Sequence, residues 1–208
     1  IAPPQVALEE CEQLRRDEAH LARQLHRLLP QEGRSRHQVG GEDDDRLGEH
    51  RAGLRATEGE QVDTGVGDHK ERPYAPVWSR LDTTFLDDLV RAGIRPEEVD
   101  VVINTHLHID HVGWNTRLDG RTWVPTFPNA TYLMPQRDFD FWNPINNHKS
   151  VLGRGNQNVF EDSVAPVHDA GLAQLWDGTF QIDKNLRLDL APGHTPGSSV
   201  LTLESGSD

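Results

Sequence analysis

Thiols, early aromatics and positive charge are all scarce in this sequence, and each shortage removes a class of explanation. Cys11 is the single cysteine among 208 residues. No internal disulfide can form and a thiolate-rich zinc cage is excluded, so any metal must be held by nitrogen and oxygen ligands. A reducing compartment is the matching expectation. Lysine and arginine number 21 against 34 acidic residues, a formal charge of -13. That balance argues against a nucleic-acid backbone or an anionic membrane surface as the main partner. A neutral small molecule, or an anion held through a bound cation, suits it better. No apolar run approaches the roughly 20 residues of a membrane span. Residues 1–30 also lack the apolar centre of a signal peptide, so a cytoplasmic location is expected, with an upstream targeting segment left open because the chain begins at Ile1. The six Phe, five Trp and two Tyr all fall at or after Tyr74, which concentrates the material for a packed core in the later two-thirds of the chain.

What is present has a clear order. The length suits one domain. Residues 5–29 read as a helix, with Leu14, Leu21 and Leu28 seven apart, Leu25 beside them and Pro30 as the stop. Its apolar stripe, with Cys11 at the edge, either docks on the core or pairs with a second copy in a homodimer. From Gln31 to Gln61 the chain is polar, with an acidic run at Glu42 to Asp45, and reads as loop or disorder. At Val62 the character changes. "VDTGVG" looks like a strand end and a glycine-rich turn. "LDTTFLDDLVRAG" predicts a helix with Asp82 as N-cap, Phe85, Leu86, Leu89 and Val90 on its apolar side and Gly93 as terminator. "PEEVDVVINTHLHIDH" predicts a helical turn at Pro96 and a buried strand from Val99 to Ile103. Residues 114–170 are turn-rich and aromatic, and "TFQID", "LRLDLAPG" and "SSVLTLES" alternate like half-buried strands of a second sheet. The class is α/β, with the chemistry at a strand's carboxyl end.

His106 and His108 stand two apart, which on an extended segment turns both imidazoles to one side, and Asp110 and His111 follow at once. Imidazole and carboxylate suit zinc, iron or manganese without any thiolate. A lone His-x-His is weak; four donors in six residues after a buried strand are much stronger. "APGHTPGSS" adds His194 on a turn fixed by glycine and proline.

"THLHIDHVG" with "GHTPGSS", preceded by "VDTGVG", resembles the metallo-β-lactamase superfamily of metal-dependent hydrolases, from about Val62 to the end of the chain. The resemblance implies an αββα sandwich with two divalent cations at one edge, zinc first and iron or manganese next. It puts His106, His108 and His194 on one metal and Asp110 and His111 on the other, with Asp63 supporting the site from behind. It further implies hydrolysis by water activated at the metals, with Asp110 as the catalytic carboxylate that steers the proton. "WN" after the histidine motif and "PTFPNATYLMP" look most like the lactonase and organophosphate-hydrolase branch. A lactone or ester is therefore the expected substrate, with a thioester as in glyoxalase II, a β-lactam or a phosphotriester as alternatives. An inactive fragment of such a hydrolase is the reading from a different class. Trp114, Trp123 and Phe127 are candidates to wall an apolar pocket over the metals, or equally to pack the second sheet.

Two departures from the family pattern shape the expectations. Members carry a bridging aspartate on a later strand and then a further histidine, whereas this chain closes at Asp208, which reads as a turn residue. The second site is thus expected to be incomplete and the chain truncated. Upstream, members show two or more apolar strands before "VDTG", and residues 31–61 offer none, so the domain, 62–208, is expected to be incomplete at both ends. The stretch 31–61 is read as altered or out of frame; coding DNA with no strand-like sequence in either alternative frame would sink that idea.

One prediction follows from the ligand set. His106→Ala should abolish tight metal binding, while His148→Ala, in a polar loop with no partner motif, should leave it unchanged. Metal content after dialysis measures both, and equal losses would contradict the assignment.

Overall fold

The computed structural model describes residues 60–146 and 156–204. The helix expected over 5–29, Cys11, the polar stretch up to residue 59, His148 and Asp208 lie outside them. In chain order the elements are β1 (Glu60–Val62), α1 (Phe85–Arg91), β2 (Val101–Ile103), β3 (Thr116–Asp119), β4 (Thr122–Pro125), β5 (Thr131–Pro135), α2 (Gln136–Trp142), a π-helical turn (Phe160–Val164) leading into α3 (Ala165–Asp169), β6 (Ala173–Trp176), β7 (Thr179–Gln181), β8 (Leu186–Leu190) and β9 (Ser199–Leu203). The first described strand starts at Glu60, two residues ahead of the boundary expected at Val62 and within the stretch 31–61 in which no strand was expected.

β2 is buried at all three positions, as an uninterrupted apolar run in a parallel sheet must be when both faces are covered. It lies between β1 and β5, with β6 outermost, in a four-stranded sheet in which every pairing is parallel. Alternation along the strands sorts the side chains by face. Val102, Tyr132 and Met134 join Phe139 of α2 and Val164 and Val167 on the helical side. Val101, Ile103 and Leu133 join Leu186 and Leu188 of β8 on the other. β7, β8 and β9 form the antiparallel sheet, built from the three segments whose alternation predicts strands. Helices, parallel sheet and antiparallel sheet are therefore stacked in that order, a mixed α/β sandwich.

The local signals worked unevenly. Gly93 ends α1 with φ +92, and the amides of Gly93 and Ile94 return to the carbonyls of Val90 and Leu89, as a glycine-terminated helix should. Its N-cap, however, is Thr84 rather than Asp82, and Thr84 Oγ1 donates to Asp88 Oδ2. Val90 is 50% exposed, so Phe85, Leu86 and Leu89 make the inward stripe. Residues 116–125, expected as turns, form a hairpin whose two-residue loop starts at Gly120 with φ +61. That is the position where a type II′ turn needs glycine. Among the described residues no helix is long and apolar enough to cross a membrane.

Two features carry strain or charge. The loop after β1 meets the chain after the histidine motif so closely that a Cβ on Gly113 would stand 1.8 Å from the carbonyl carbon of Val66. Behind that contact Lys70 and Arg72, both fully buried, share the buried carboxylate of Asp162. Arg72 grips it through Nη1 and Nη2 at 2.6 and 2.9 Å. Lys70 Nζ stands 3.6 Å from it, donates to Thr116 Oγ1, and lies 3.9 Å above the Trp123 ring. Desolvation lowers the Lys70 pKa to about 8, with Asp162 opposing and Arg72 adding to the shift.

Gly113→Ala should destabilise by more than the about 1–3 kcal/mol of ordinary overpacking, because the obstacle is backbone; a variant as stable as wild type in urea would show that the two loops do not interlock. For Lys70 the folded pKa of about 8 lies below the unfolded 10.5. The unfolded chain therefore binds more protons in that window, and stability should rise with pH across it. Relative to Lys70→Met, wild type should gain stability between pH 8 and 10.5; a pH-independent difference in unfolding free energy would contradict the buried charge.

Candidate metal centre

The site lies at the carboxyl end of β2. The strand stops at Ile103, so His106 and His108 sit on a loop rather than on an extended strand, and something other than a ladder must aim them. His106 is buried, His108 half-buried and His194, on the turn between β8 and β9, exposed. One ring nitrogen from each lies within 4.8 Å of the others. His108 Nδ1 and His194 Nε2 are 2.9 Å apart, although the residues are separated by 86 positions. The three rings are mutually edge-on, with centroids 4.6 to 4.8 Å apart.

Side chains supply the hydrogen bonds that a ladder would otherwise provide. Thr105 N donates to Asp63 Oδ1, and the Thr105 carbonyl accepts from the amide and hydroxyl of Ser199. Leu107 N donates to Asp138 Oδ2 and its carbonyl accepts from Asn156 Nδ2. The His111 carbonyl accepts from Thr64 N and Thr64 Oγ1, and Thr64 Oγ1 in turn reaches Asn115. Asn104 and Asn115 bond each other reciprocally beneath the loop.

Asp63 closes the other flank. It sits at φ +47 just after β1, a left-handed position that aspartate tolerates because its short polar side chain bonds locally. Its Oδ2 accepts from Thr105 Oγ1 at 2.8 Å and lies 2.9 Å from His111 Nδ1. Because the Thr105 hydroxyl gives its one proton to Asp63, it must accept from His106 Nδ1, 3.2 Å away. That leaves the lone pair on His106 Nε2, and this buried atom has no hydrogen-bond partner. Burial, with His111 and His108 adding to it, lowers the His106 pKa to about 4. A neutral imidazole with an unspent lone pair facing two other histidines fits a metal ligand. Desolvation opposes charge on His111, but Asp110 and Asp63 outweigh it and raise its pKa to about 9. Asp110 Oδ2 lies 3.5 Å from His111 Nε2. Partial burial pushes the Asp110 carboxyl up, and the hydrogen bond to His111, the charges of His111 and His106 and a backbone hydrogen bond together more than reverse it. The described donors thus form a histidine triad with an aspartate–histidine pair beside it, His111 packing 3.9 Å from the His106 ring.

The expected aromatic wall is placed differently. Phe127 is fully buried beneath Tyr132, whose hydroxyl accepts from Phe127 N. Trp114 is 8% exposed and stacks on Phe85 at 5.1 Å. Trp123 takes the Lys70 ammonium on its face. Trp114 and Phe127 pack the interior, where a ring buries the most apolar area, while Trp123 is half-buried on β4. A ring that does meet the site is Trp142, at the end of α2, 5.3 Å from His108. The sequence reading missed it, and missed Asp138 one helical turn earlier; in "QRDFDFW" acidic and aromatic residues alternate, so no spacing sets these two apart from their neighbours.

Comparison with known proteins agrees with this geometry. The model of the metallo-beta-lactamase superfamily matches residues 62–208. A probable metallo-hydrolase of Methanocaldococcus jannaschii is 34% identical over 61 residues, 29% of this chain and 26% of that protein. An N-acyl homoserine lactonase of Bacillus cereus is 21% identical over 117 residues, 56% of this chain and 38% of that protein. Among solved structures, a dizinc quorum-quenching lactonase in complex with the product N-hexanoyl-L-homoserine superposes with a TM-score of 0.52 at 23% identity, over 72% of this chain and 49% of its own. That likeness is one of fold, and this chain spans about half of that structure. With the histidine triad at the carboxyl edge of its parallel sheet and the family model covering most of its length, the chain belongs to the metallo-beta-lactamase superfamily.

Proposed function

We propose that this chain carries the metal centre of a metal-dependent hydrolase acting on a lactone or ester. The observation that carries the reading is the convergence of His106, His108 and His194, with the His106 Nε2 lone pair buried and unused. These three residues would hold one divalent cation, zinc first, and Asp110 with His111 would contribute to a second. A cation there polarises a carbonyl oxygen and lowers the pKa of water from about 15.7 to roughly 7. The protein's own part is preparation. His106 stays neutral at neutral pH, so little proton competition opposes a cation at its Nε2. The Asp110 side chain, 43% exposed, stands on the open side, where its carboxylate can take a proton from attacking water. Asp63 holds Thr105 and His111 in register from behind. Trp142 gives the His108 flank an apolar face, against which the hydrocarbon part of a small ester or lactone would lie. The lactonases among similar proteins support the choice of substrate class, and the acidic balance of the chain favours a neutral substrate.

The test combines metal uptake with turnover. Zinc-loaded chain should hydrolyse an acyl homoserine lactone faster than thioester, β-lactam or phosphotriester probes in a pH-stat assay. Chelation should abolish the rate and added zinc restore it. Lactone turnover unchanged by chelation, or a chain that takes up no metal, would overturn the reading.

A further inference from the structure

Asp138 is the third residue of α2, is completely buried, and makes contacts that belong to neither its own helix nor a salt bridge. Oδ2 accepts from Leu107 N and from Thr195 Oγ1, both at 2.9 Å. Oδ1 accepts from Gly197 N at 2.6 Å. Leu107 stands between His106 and His108, and Thr195 follows His194 directly. One carboxylate therefore ties together the two chain segments that deliver the triad, across 31, 57 and 59 positions of sequence. The partners are arranged for this. A Cβ on Gly197 would lie 2.8 Å from both Asp138 N and Asp138 Oδ1, so only glycine lets the turn approach. Thr195 Oγ1 gives its proton to Asp138, and must therefore accept from Ser198 Oγ, 2.9 Å away. Each neighbour points a donor at the carboxylate.

A buried carboxylate without a basic partner is costly even when hydrogen-bonded. Among the described residues no lysine, arginine or histidine forms an ion pair with Asp138, and its donors are two amides and a hydroxyl. An amide side chain, with one acceptor oxygen, would serve Leu107 N and Thr195 Oγ1 or Gly197 N but not all three. Only a two-oxygen acceptor joins both with every donor satisfied. We infer that Asp138 is the positioning residue of the metal centre: its carboxylate sets the separation between His106 and His108 on one segment and His194 on the other. The inference rests on the triad being the metal site. Asp138 touches neither substrate nor cation and acts through the backbone and Thr195. Replacing one oxygen by an NH₂ group, as in Asp138→Asn, turns a donor toward Leu107 N and Thr195 Oγ1 or toward Gly197 N; either way at least one donor loses its acceptor and the tie between the segments loosens.

The experiment measures ring contact and metal affinity separately. In the metal-free chain, NMR should detect contact between the His108 and His194 rings, whose centroids are 4.6 Å apart; Asp138→Asn should lose it. Zinc affinity of the folded variant, by competition with a chromophoric chelator, should fall by about 10–100-fold, the usual loss when a residue orienting ligands is changed. Thr195→Val and Thr195→Ser provide a milder pair that keeps the test open if Asp138→Asn does not fold: Val should weaken zinc binding and Ser, which keeps the hydroxyl, should retain it. A folded Asp138→Asn with wild-type zinc affinity and ring contact would overturn the inference, even if its thermal midpoint dropped. So would Thr195→Val and Thr195→Ser both binding like wild type. A wild-type chain that shows the ring contact but takes up no zinc would sink the metal assignment instead, and leave the clamp to stand or fall on the ring contact in Asp138→Asn.

Discussion

Everything at this site depends on one constraint: the segment from Thr105 to His111 leaves a buried parallel sheet, and beyond the one bond from Ser199 N to the Thr105 carbonyl no strand ladder runs along it to satisfy its peptide groups. Buried amides and carbonyls left unpaired would cost more than a loop of this size can bear. Polar side chains meet the demand. Asp63 and Asp138 take the amides of Thr105 and Leu107, Asn156 and Thr64 serve the carbonyls of Leu107 and His111, and Asn104 and Asn115 lock the floor. This explains why a domain with ordinary apolar strands also buries Thr64, Asn104, Asn115, Asp138 and Asn156. The same bonds that make the loop affordable also fix the direction of its histidines.

The sandwich supplies the rigid frame. β2 is clamped on both faces, by helices through Val102 and by the antiparallel sheet through Val101 and Ile103. The residue at which the chain leaves the sheet is therefore fixed. β8 and β9 belong to the second sheet, so the turn between them brings His194 over the edge of the first. The triad is a product of layer stacking: two histidines come from one sheet's end and one from the other's.

How much of this could be read from the sequence depended on whether a signal was local. The β2 run, the Gly93 terminator and the alternation of β7 to β9 are local patterns, and each has its counterpart in the structure, whereas His106 and His108, read as two positions of an extended segment, sit on a loop. Asp82 is not the cap because Asp68 holds Thr83 through its amide and hydroxyl, and the Thr83 hydroxyl rather than Asp82 accepts from Phe85 N, so the helix starts later. For Trp114, Trp123 and Phe127 the sequence left pocket wall and sheet packing equally open, because they follow no period that tells a pocket rim from a core. Trp142 and Asp138 were invisible for a different reason. Their meaning lies in contacts with His108 and with Thr195, and no short-range pattern reports such pairings.

The distances along the chain have a thermodynamic consequence. His106, His108 and His111 are neighbours in any conformation, whereas His194 joins them only after an 86-residue loop has closed. An unfolded chain can offer a cation a loose local chelate but not the full set, so native and unfolded states differ in affinity, and the difference is folding free energy. A cation held by the triad would behave as a reversible cross-link, removing loop-closure entropy as a disulfide does. In a chain whose single cysteine denies it that covalent option, free metal concentration would set how firmly the two sheets stay joined.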